Sequence, residues 1–336
     1  PFHNLFLKKN FPPRLAPEVR VLKQFTKNLG LYGSDAKTCG FSGYLCELLI
    51  MHYGSFRNLI KGASKWEPGK VFIDIKGYHK NPEKIKSRFK GQPLIVIDPV
   101  DRKRNVAAVL SPENFVKFVF CCKQFLEKPS MRYFFRAKER RDYKRIRKMM
   151  EERGTKFIGI LFRKPNIIND ILWPQMRRAV KRIRDVLEDE EFHVMGSVIW
   201  CDKEFEEDGT CIIILEMEVW RLPQVRKIIG PPIFIAERSE EFVKKYKKGR
   251  VWVESDRWVS EVKRKHVNAE GLLSEFLRDS IHNLQEKGIP SYIADSIGGG
   301  FDILGEREIF ARMRRKSELL ESMREYLERN MMSRSF

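Results

Sequence analysis

Apolar positions along the chain follow two periods, and the period changes from segment to segment. In EVRVLKQFTKNL (18–29), Val19, Leu22 and Phe25 recur at helical spacing on one face, and Gly30 closes the element. FSGYLCELLIMHYGSF (41–56) is apolar nearly all round, which predicts a buried helix, with Ser42 placed to accept a free backbone N–H at its start. VFIDI (71–75) and LIVID (94–98) read as short strands. SPENFVKFVFCCKQFLEKPS (111–130) reads as another helix, opened by Ser111 and Glu113 and ended by Pro129.

Residues 130–150 are dense in Arg and Lys and read as a linker followed by a basic helix. KFIGILF (156–162), a helix from about Ile171 to Glu190, FHVMGSVIWC (192–201) and TCIIILEMEVW (210–220) then give the order β-α-β-β, the opening of a ferredoxin-like unit. WVSEVKRK (258–265) is expected to complete that sheet after an insertion over 230–257, itself holding the helix SEEFVKKYKKG and the strand VWVE. NAEGLLSEFLRDSIHNLQEKG predicts a helix with Asn268 as N-cap and Gly288 just past its end. SIGGGFDILG reads as a flexible turn, because no strand leads into its glycines and no GxGxxG frame surrounds them. A last helix, about 306–329, sets Ile309, Met313, Leu320, Met323 and Leu327 near one seam, interrupted by Lys316. That seam either meets a second copy in a homodimer or packs back on its own domain.

The expected fold class is therefore α+β. A mainly helical region covers 1–130, a ferredoxin-like body covers 131–265 with its insertion, and a helical tail covers 266–336. At 336 residues with 42% hydrophobic positions, the chain can bury cores of ordinary size.

Charge narrows the function. A formal net charge of +20 calls for an anionic partner, and nucleic acid is the first candidate, ahead of an anionic membrane surface. No apolar run is long enough for a transmembrane helix and no signal peptide is visible, so the sequence reads as cytoplasmic. The cysteines at 39, 46, 121, 122, 201 and 211 form no CxxC pair and read as buried free thiols. No HExxH motif occurs.

The stretch LIVIDPVDRKRNVAA (94–108) concentrates the candidate chemistry. Asp98 and Asp101 end an apolar strand, where metal-holding carboxylates often sit, but three cations follow at once and would compete with a metal. The better reading makes the acids braces of the turn, with Arg104 and Asn105 pointing outward as donors suited to phosphate or a base edge.

PEVRVLKQFTKNLGLYG, CGFSGYLCELLI and DPVDRKRNVAA, in this order, resemble the archaeal (class I) CCA-adding enzymes, tRNA nucleotidyltransferases that build the 3′ CCA end from CTP and ATP without a nucleic-acid template. The opening PFH and the stretch FRKPNIINDILWPQ also fit, and the resemblance covers nearly the whole chain, densest over 1–110. It implies a central substrate-binding domain of the type shared with poly(A) polymerase and oligoadenylate synthetase, followed by the body and tail. By resemblance, Lys23 binds the nucleotide triphosphate and Tyr32 touches the same phosphates. Arg104 helps recognise the incoming base, with Asn105 beside it, and His3 lies near the nucleotide pocket.

The family's GS turn and its three carboxylates, which hold Mg²⁺, lie upstream of the PFH motif, and no such constellation occurs in this sequence, which opens at Pro1. The resemblance thus implies a CCA-adding enzyme without its catalytic palm and with no catalytic or metal-binding residues of its own, inactive alone, or else a palm-less tRNA acceptor-arm binding protein or subunit with no transferase activity of its own. Poly(A) polymerase and oligoadenylate synthetase are the rivals within the superfamily, and use of CTP would exclude both. For tRNA, the candidates are Arg177, Arg178, Lys181 and Arg182 on WPQMRRAVKRIRD, whose spacing puts Arg178, Lys181 and Arg182 on one face. A solvated face covering the sheet's edge is the open alternative.

Overall fold

The computed structural model describes residues 2–135, 142–202 and 209–328. They form two compact units, one of residues 2–135 with 168–174, the other of 142–167 with 175–327.

In the first unit, α1 (Phe2–Asn10) precedes α2 (Ala16–Asn28). Pro17 sits in the first turn of α2, where its missing N–H is no loss, and Val19, Leu22 and Phe25 are buried as their spacing predicts. The strongly apolar run becomes α3 (Gly43–Tyr53): the Ser42 hydroxyl accepts from the Leu45 N–H at 3.0 Å, and Gly54 ends the helix in the left-handed conformation at φ 76°. Then follow α4 (Phe56–Ala63), β1 (Val71–Ile73), α5 (Pro82–Arg88), β2 (Leu94–Val96) and α6 (Pro112–Glu127). The Ser111 hydroxyl caps α6 by accepting from Asn114 N–H at 3.2 Å. β1 and β2 pair in parallel, Val71 opposite Leu94. The core centres on Phe25, whose ring meets those of Phe56, Phe118, Phe125, Tyr133 and Phe134. Such aromatic pairs add about 0.5–1.5 kcal/mol each beyond their burial.

The second unit opens with the basic helix α7 (Tyr143–Glu152), then β3 (Lys156–Arg163), α8 (Asn169–Asp189, its first turns grouped with the first unit), β4 (Val194–Cys201) and β5 (Thr210–Met217). β5 lies between β3 and β4, antiparallel to both. WVSEVKRK does not complete this sheet. It forms β8 (Arg257–Lys263), the middle strand of a separate three-stranded sheet between β6 (Val225–Pro232) and β7 (Arg250–Glu254), with α9 (Ala236–Tyr246) packed on it. Both edges of β8 are used in that sheet.

The body is completed further along the chain. After α10 (Ala269–Leu277), α11 (Ile281–Glu286) and α12 (Ser291–Gly298), FDIL forms β9 (Phe301–Leu304), antiparallel to β3 with Gly159 opposite Leu304. The order β4-β5-β3-β9 makes a four-stranded ferredoxin-like sheet from a βαββαβ series. The glycine run is thus a helix end and a strand entry: Gly300, at φ +130°, makes the turn between α12 and β9. The segment from Asn268 to Gly288, expected as one helix, is two, because the Ser280 hydroxyl starts α11 anew by accepting from Asn283 N–H at 3.2 Å.

The last helix is also two, α13 (Glu306–Arg315) and α14 (Ser317–Leu327), parted by extended backbone at Lys316, whose ammonium lies 2.5 Å from Asp202. The seam residues Ile309, Met313, Leu320 and Met323 are buried against Trp200, Ile212 and Ile214, with Leu327 at the edge of the same cluster. The seam is therefore spent on its own sheet. No helix among the described residues is long and apolar enough to cross a membrane.

Candidate functional site

The first turn of α3 is the centre of the candidate site. Gly43 opens the helix, and a methyl group placed there would stand 3.2 Å from the Tyr32 hydroxyl and 3.4 Å from Lys23 Nζ. Lys23 reaches this point from α2, and Tyr32 from the loop that pairs with Phe41 in an isolated bridge. Backbone N–H groups at a helix start, a compact cation and a phenol donor together form a receptor for phosphate oxygens. Lys23 also donates to Glu47 Oε1 at 2.9 Å. Partial burial works against its charge, but the hydrogen bond and attraction from Glu47 outweigh that, so its pKa lies above the ordinary lysine value and the ammonium is secure.

A second cluster adjoins the first through Tyr44. Asp98, with a fully buried side chain, accepts from Tyr44 Oη at 3.2 Å and from the Val100 N–H at 3.0 Å, both on Oδ1. Its Oδ2 meets His3 Nε2 at 2.9 Å and Arg104 Nη1 at 3.5 Å. The His3 and Tyr44 rings stack obliquely, centroids 4.5 Å apart. Burial and the Asp98 charge push the Tyr44 phenol well above its usual range, so it remains a neutral donor. The turn itself is tied by Asp98 N–H donating to the Arg104 carbonyl at 3.0 Å and Arg104 N–H donating to the Asp101 carbonyl at 2.9 Å. Arg104 keeps 55% of its side chain exposed, so the buried aspartate anchors a guanidinium that still faces solvent.

Asn105 does not point outward. It is buried, its Oδ1 accepting from the N–H groups of Val96 at 2.8 Å and Ala107 at 3.0 Å, its Nδ2 donating to Gln92 Oε1 at 2.5 Å and the Leu94 carbonyl at 2.8 Å. Every donor and acceptor it owns is used in fastening β2 to the turn, which leaves it nothing to offer a ligand. The structure thus brings Lys23 and Tyr32 together, and His3 with Arg104, while it assigns Asn105 to the scaffold. Tyr44 and Glu47 belong to the site and went unnamed in the sequence reading. Their signal was there: within the apolar run they are the polar interruptions, one and four positions after Gly43.

On α8, Arg177, Arg178 and Lys181 are exposed, whereas Leu172, Met176, Ala179, Ile183 and Leu187 are buried. Arg182 carries a structural tie: its Nε donates to the Lys287 carbonyl at 2.5 Å, and its stem lies against Gly288. It ties α8 to the end of α11.

The residues described do not fit a magnesium centre. Asp98 is saturated by four donors, and no group of three His, Cys, Asp or Glu side chains among the described residues converges on one point. All six cysteines are free thiols; Cys39 and Cys201 are half-buried rather than buried, and burial pushes the Cys46 thiol up to about 12.

Two family profiles match the chain: tRNA nucleotidyltransferase, second domain, over residues 17–135, and CCA-adding enzyme, C-terminal domain, over residues 153–306. The chain is 41% identical to the CCA-adding enzyme of Methanocaldococcus jannaschii over 297 residues, covering 87% of this chain and 63% of that one. It is 35% identical to the CCA-adding enzyme of Methanosarcina acetivorans, covering 92% of this chain and 64% of that one. With the CCA-adding enzyme of Methanopyrus kandleri it shares 34% identity, covering 97% of this chain and 68% of that one. It thus spans slightly less than two thirds of the first two relatives. The chain belongs to the family of archaeal-type CCA-adding enzymes.

Proposed function

We propose that this chain supplies the nucleotide-binding and tRNA-binding parts of a CCA tRNA nucleotidyltransferase, which adds C, C and A to the tRNA 3′ end from CTP and ATP. The observation that supports this most is the convergence of Lys23 Nζ and Tyr32 Oη on the first turn of α3 at Gly43. There the triphosphate of CTP or ATP gains a secure cation, a hydroxyl donor and free backbone N–H groups. Arg104, held by Asp98 beside His3, faces the base and the RNA 3′ end. Its planar fork suits a base edge or a phosphate better than a lysine would. The exposed cations Arg177, Arg178 and Lys181 on α8 meet acceptor-arm phosphates, consistent with a chain of net charge +20. This chain's own part is to bind and orient the nucleotide and the tRNA.

Calorimetric titration with CTP tests the reading. Lys23→Ala should weaken CTP binding about tenfold or more, the size of one charge-assisted contact, and Tyr32→Phe less. Unchanged CTP affinity in both variants would reject this placement of the triphosphate.

A further inference from the structure

The second unit holds a cavity of about 450 Å³, lined by Lys156, Trp220, Arg221, Val267, Asn268 and Glu270. Its walls are fixed by backbone. Arg221 and Asn268 form an isolated antiparallel bridge, the Leu222 N–H donates to the Val267 carbonyl at 2.9 Å, and the Ala269 N–H donates to the Trp220 carbonyl at 2.9 Å. Lys156 is held from below as the first residue of β3, paired with Met217 of β5. The Asn268 side chain is already committed, accepting from Gly271 N–H at 2.7 Å as the cap of α10.

What remains uncommitted is informative. Trp220 is half-buried and outside the apolar core. Among the described residues, the side chains of Lys156, Arg221 and Glu270 have no ion-pair or hydrogen-bond partner, although they line one cavity and both signs of charge are present. Two free cations beside an indole match a phosphate joined to a flat aromatic base. The volume lies within the ordinary range of small-ligand sites and admits a single nucleotide. Base stacking on an aromatic ring tolerates any base, and a carboxylate at the rim accepts from exocyclic amino groups.

We propose that Trp220, Lys156 and Arg221 form a site for one unstacked RNA nucleotide, the base on the indole and its phosphate between the two cations. Glu270 favours bases that present an N–H donor. The site lies outside the Lys23–Arg104 cluster of the first unit and deepens the tRNA-binding reading, on which it rests: duplex RNA is gripped by shape and charge, whereas this cavity takes a nucleotide that has left the stack.

The test is fluorescence anisotropy with two labelled probes, a single-stranded RNA hexamer and a blunt RNA hairpin, each at two KCl concentrations. Trp220→Leu should weaken hexamer binding about tenfold, the usual loss for one stacked base, and leave the hairpin unchanged, while Trp220→Phe should retain most of the affinity. The double variant Lys156→Ala, Arg221→Ala changes two partly exposed side chains and gives a readout should Trp220→Leu fail to fold. It should lower the hexamer's salt slope by about 0.7, the worth of the one phosphate that the two cations share. Hexamer binding unchanged in both variants overturns the proposal. Equal loss for hexamer and hairpin also overturns it, because the residues would then serve the general RNA surface. A wild-type chain that binds the hairpin but not the hexamer overturns this site alone, whereas one that binds neither probe overturns the tRNA-binding reading as well.

Discussion

Each unit of this molecule buries one carboxylate among an arginine and a tyrosine, and the two are used in opposite ways. Asp98 holds His3, Tyr44 and Arg104, yet leaves 55% of the arginine side chain in solvent. Glu216, on β5, has a fully buried side chain that binds Arg153 Nε at 2.5 Å, Thr155 Oγ1 at 2.7 Å and the Tyr326 hydroxyl of α14. The first network ends in a group pointed outward. The second ties the turn before β3 to β5 and the last helix, with 34% of the Arg153 side chain in solvent. Partners alone do not distinguish a site from a lock; what the network ties together, and how far its arginine reaches into solvent, do.

The lock should carry the larger stability effect. Glu216→Ala strips four hydrogen bonds from the buried carboxylate's three partners and should destabilise the second unit by about 3 kcal/mol, read as a lower urea midpoint. Gly196 belongs to the same device, since a methyl there would lie 2.1 Å from the Tyr326 hydroxyl. Gly196→Val should therefore be at least as damaging. A native-like midpoint for Glu216→Ala would show that the network is not a lock.

The lock also has a pH signature. Burial raises the Glu216 pKa, but the hydrogen bonds from Arg153, Tyr326 and Thr155 outweigh it, so the folded carboxyl titrates below its ordinary value. A depressed acid contributes stability that is fully present above the unfolded value, about 4.3, and is lost as pH falls through the folded one. Wild type and Glu216→Gln should therefore differ most near neutrality and converge in urea melts taken progressively below about pH 4. A constant difference across that range would break the assignment.

How far the sequence revealed these devices depended on the range of the contacts. Local signals were legible: Ser42, Ser111 and Asn268 cap the helices they were expected to cap, and Gly288 sits at φ +93° as a helix terminator should. The strands of the body were legible from their apolar runs, except β9. FDIL offers four residues behind a glycine run, too short to show a period, while WVSEVKRK has ideal strand chemistry and spends it in another sheet. Within the site, Lys23 and Tyr32 came from the resemblance, and no periodicity would have found them, whereas Arg104 was legible from its turn. His3 and Asp98 are 95 positions apart, so their hydrogen bond leaves no local pattern. Asn105 escapes the pattern because a polar residue after an arginine looks solvent-facing, whereas a buried amide that satisfies backbone groups leaves no trace in spacing.

The Asp98 cluster should respond in function more than in stability. Asp98→Asn keeps the shape and an acceptor for Tyr44 and the Val100 N–H, but it removes the charge that holds Arg104 and His3. The expected cost in stability is about 1–2 kcal/mol, with weaker tRNA binding. Asn105→Ala offers the contrast: it removes four scaffold hydrogen bonds and no ligand contact, so the urea midpoint should fall further than for Asp98→Asn. If Asn105→Ala instead left stability intact and impaired binding, the outward reading of Asn105 would be restored.

The smallest effect should come from α8, where no lock is involved. Arg178 and Lys181 are exposed, so replacing both with Glu should leave the urea midpoint within about 0.5 kcal/mol of wild type. Binding of tRNA should nevertheless weaken, and its salt dependence should become shallower by roughly one counterion per lost phosphate contact. Arg182 is the internal control, because its Nε is held by the Lys287 carbonyl. Arg182→Ala should cost stability through that tie and leave the salt slope nearly unchanged. A slope that falls for Arg182→Ala but not for the Arg178 and Lys181 pair would move the RNA-facing surface to the other side of the helix.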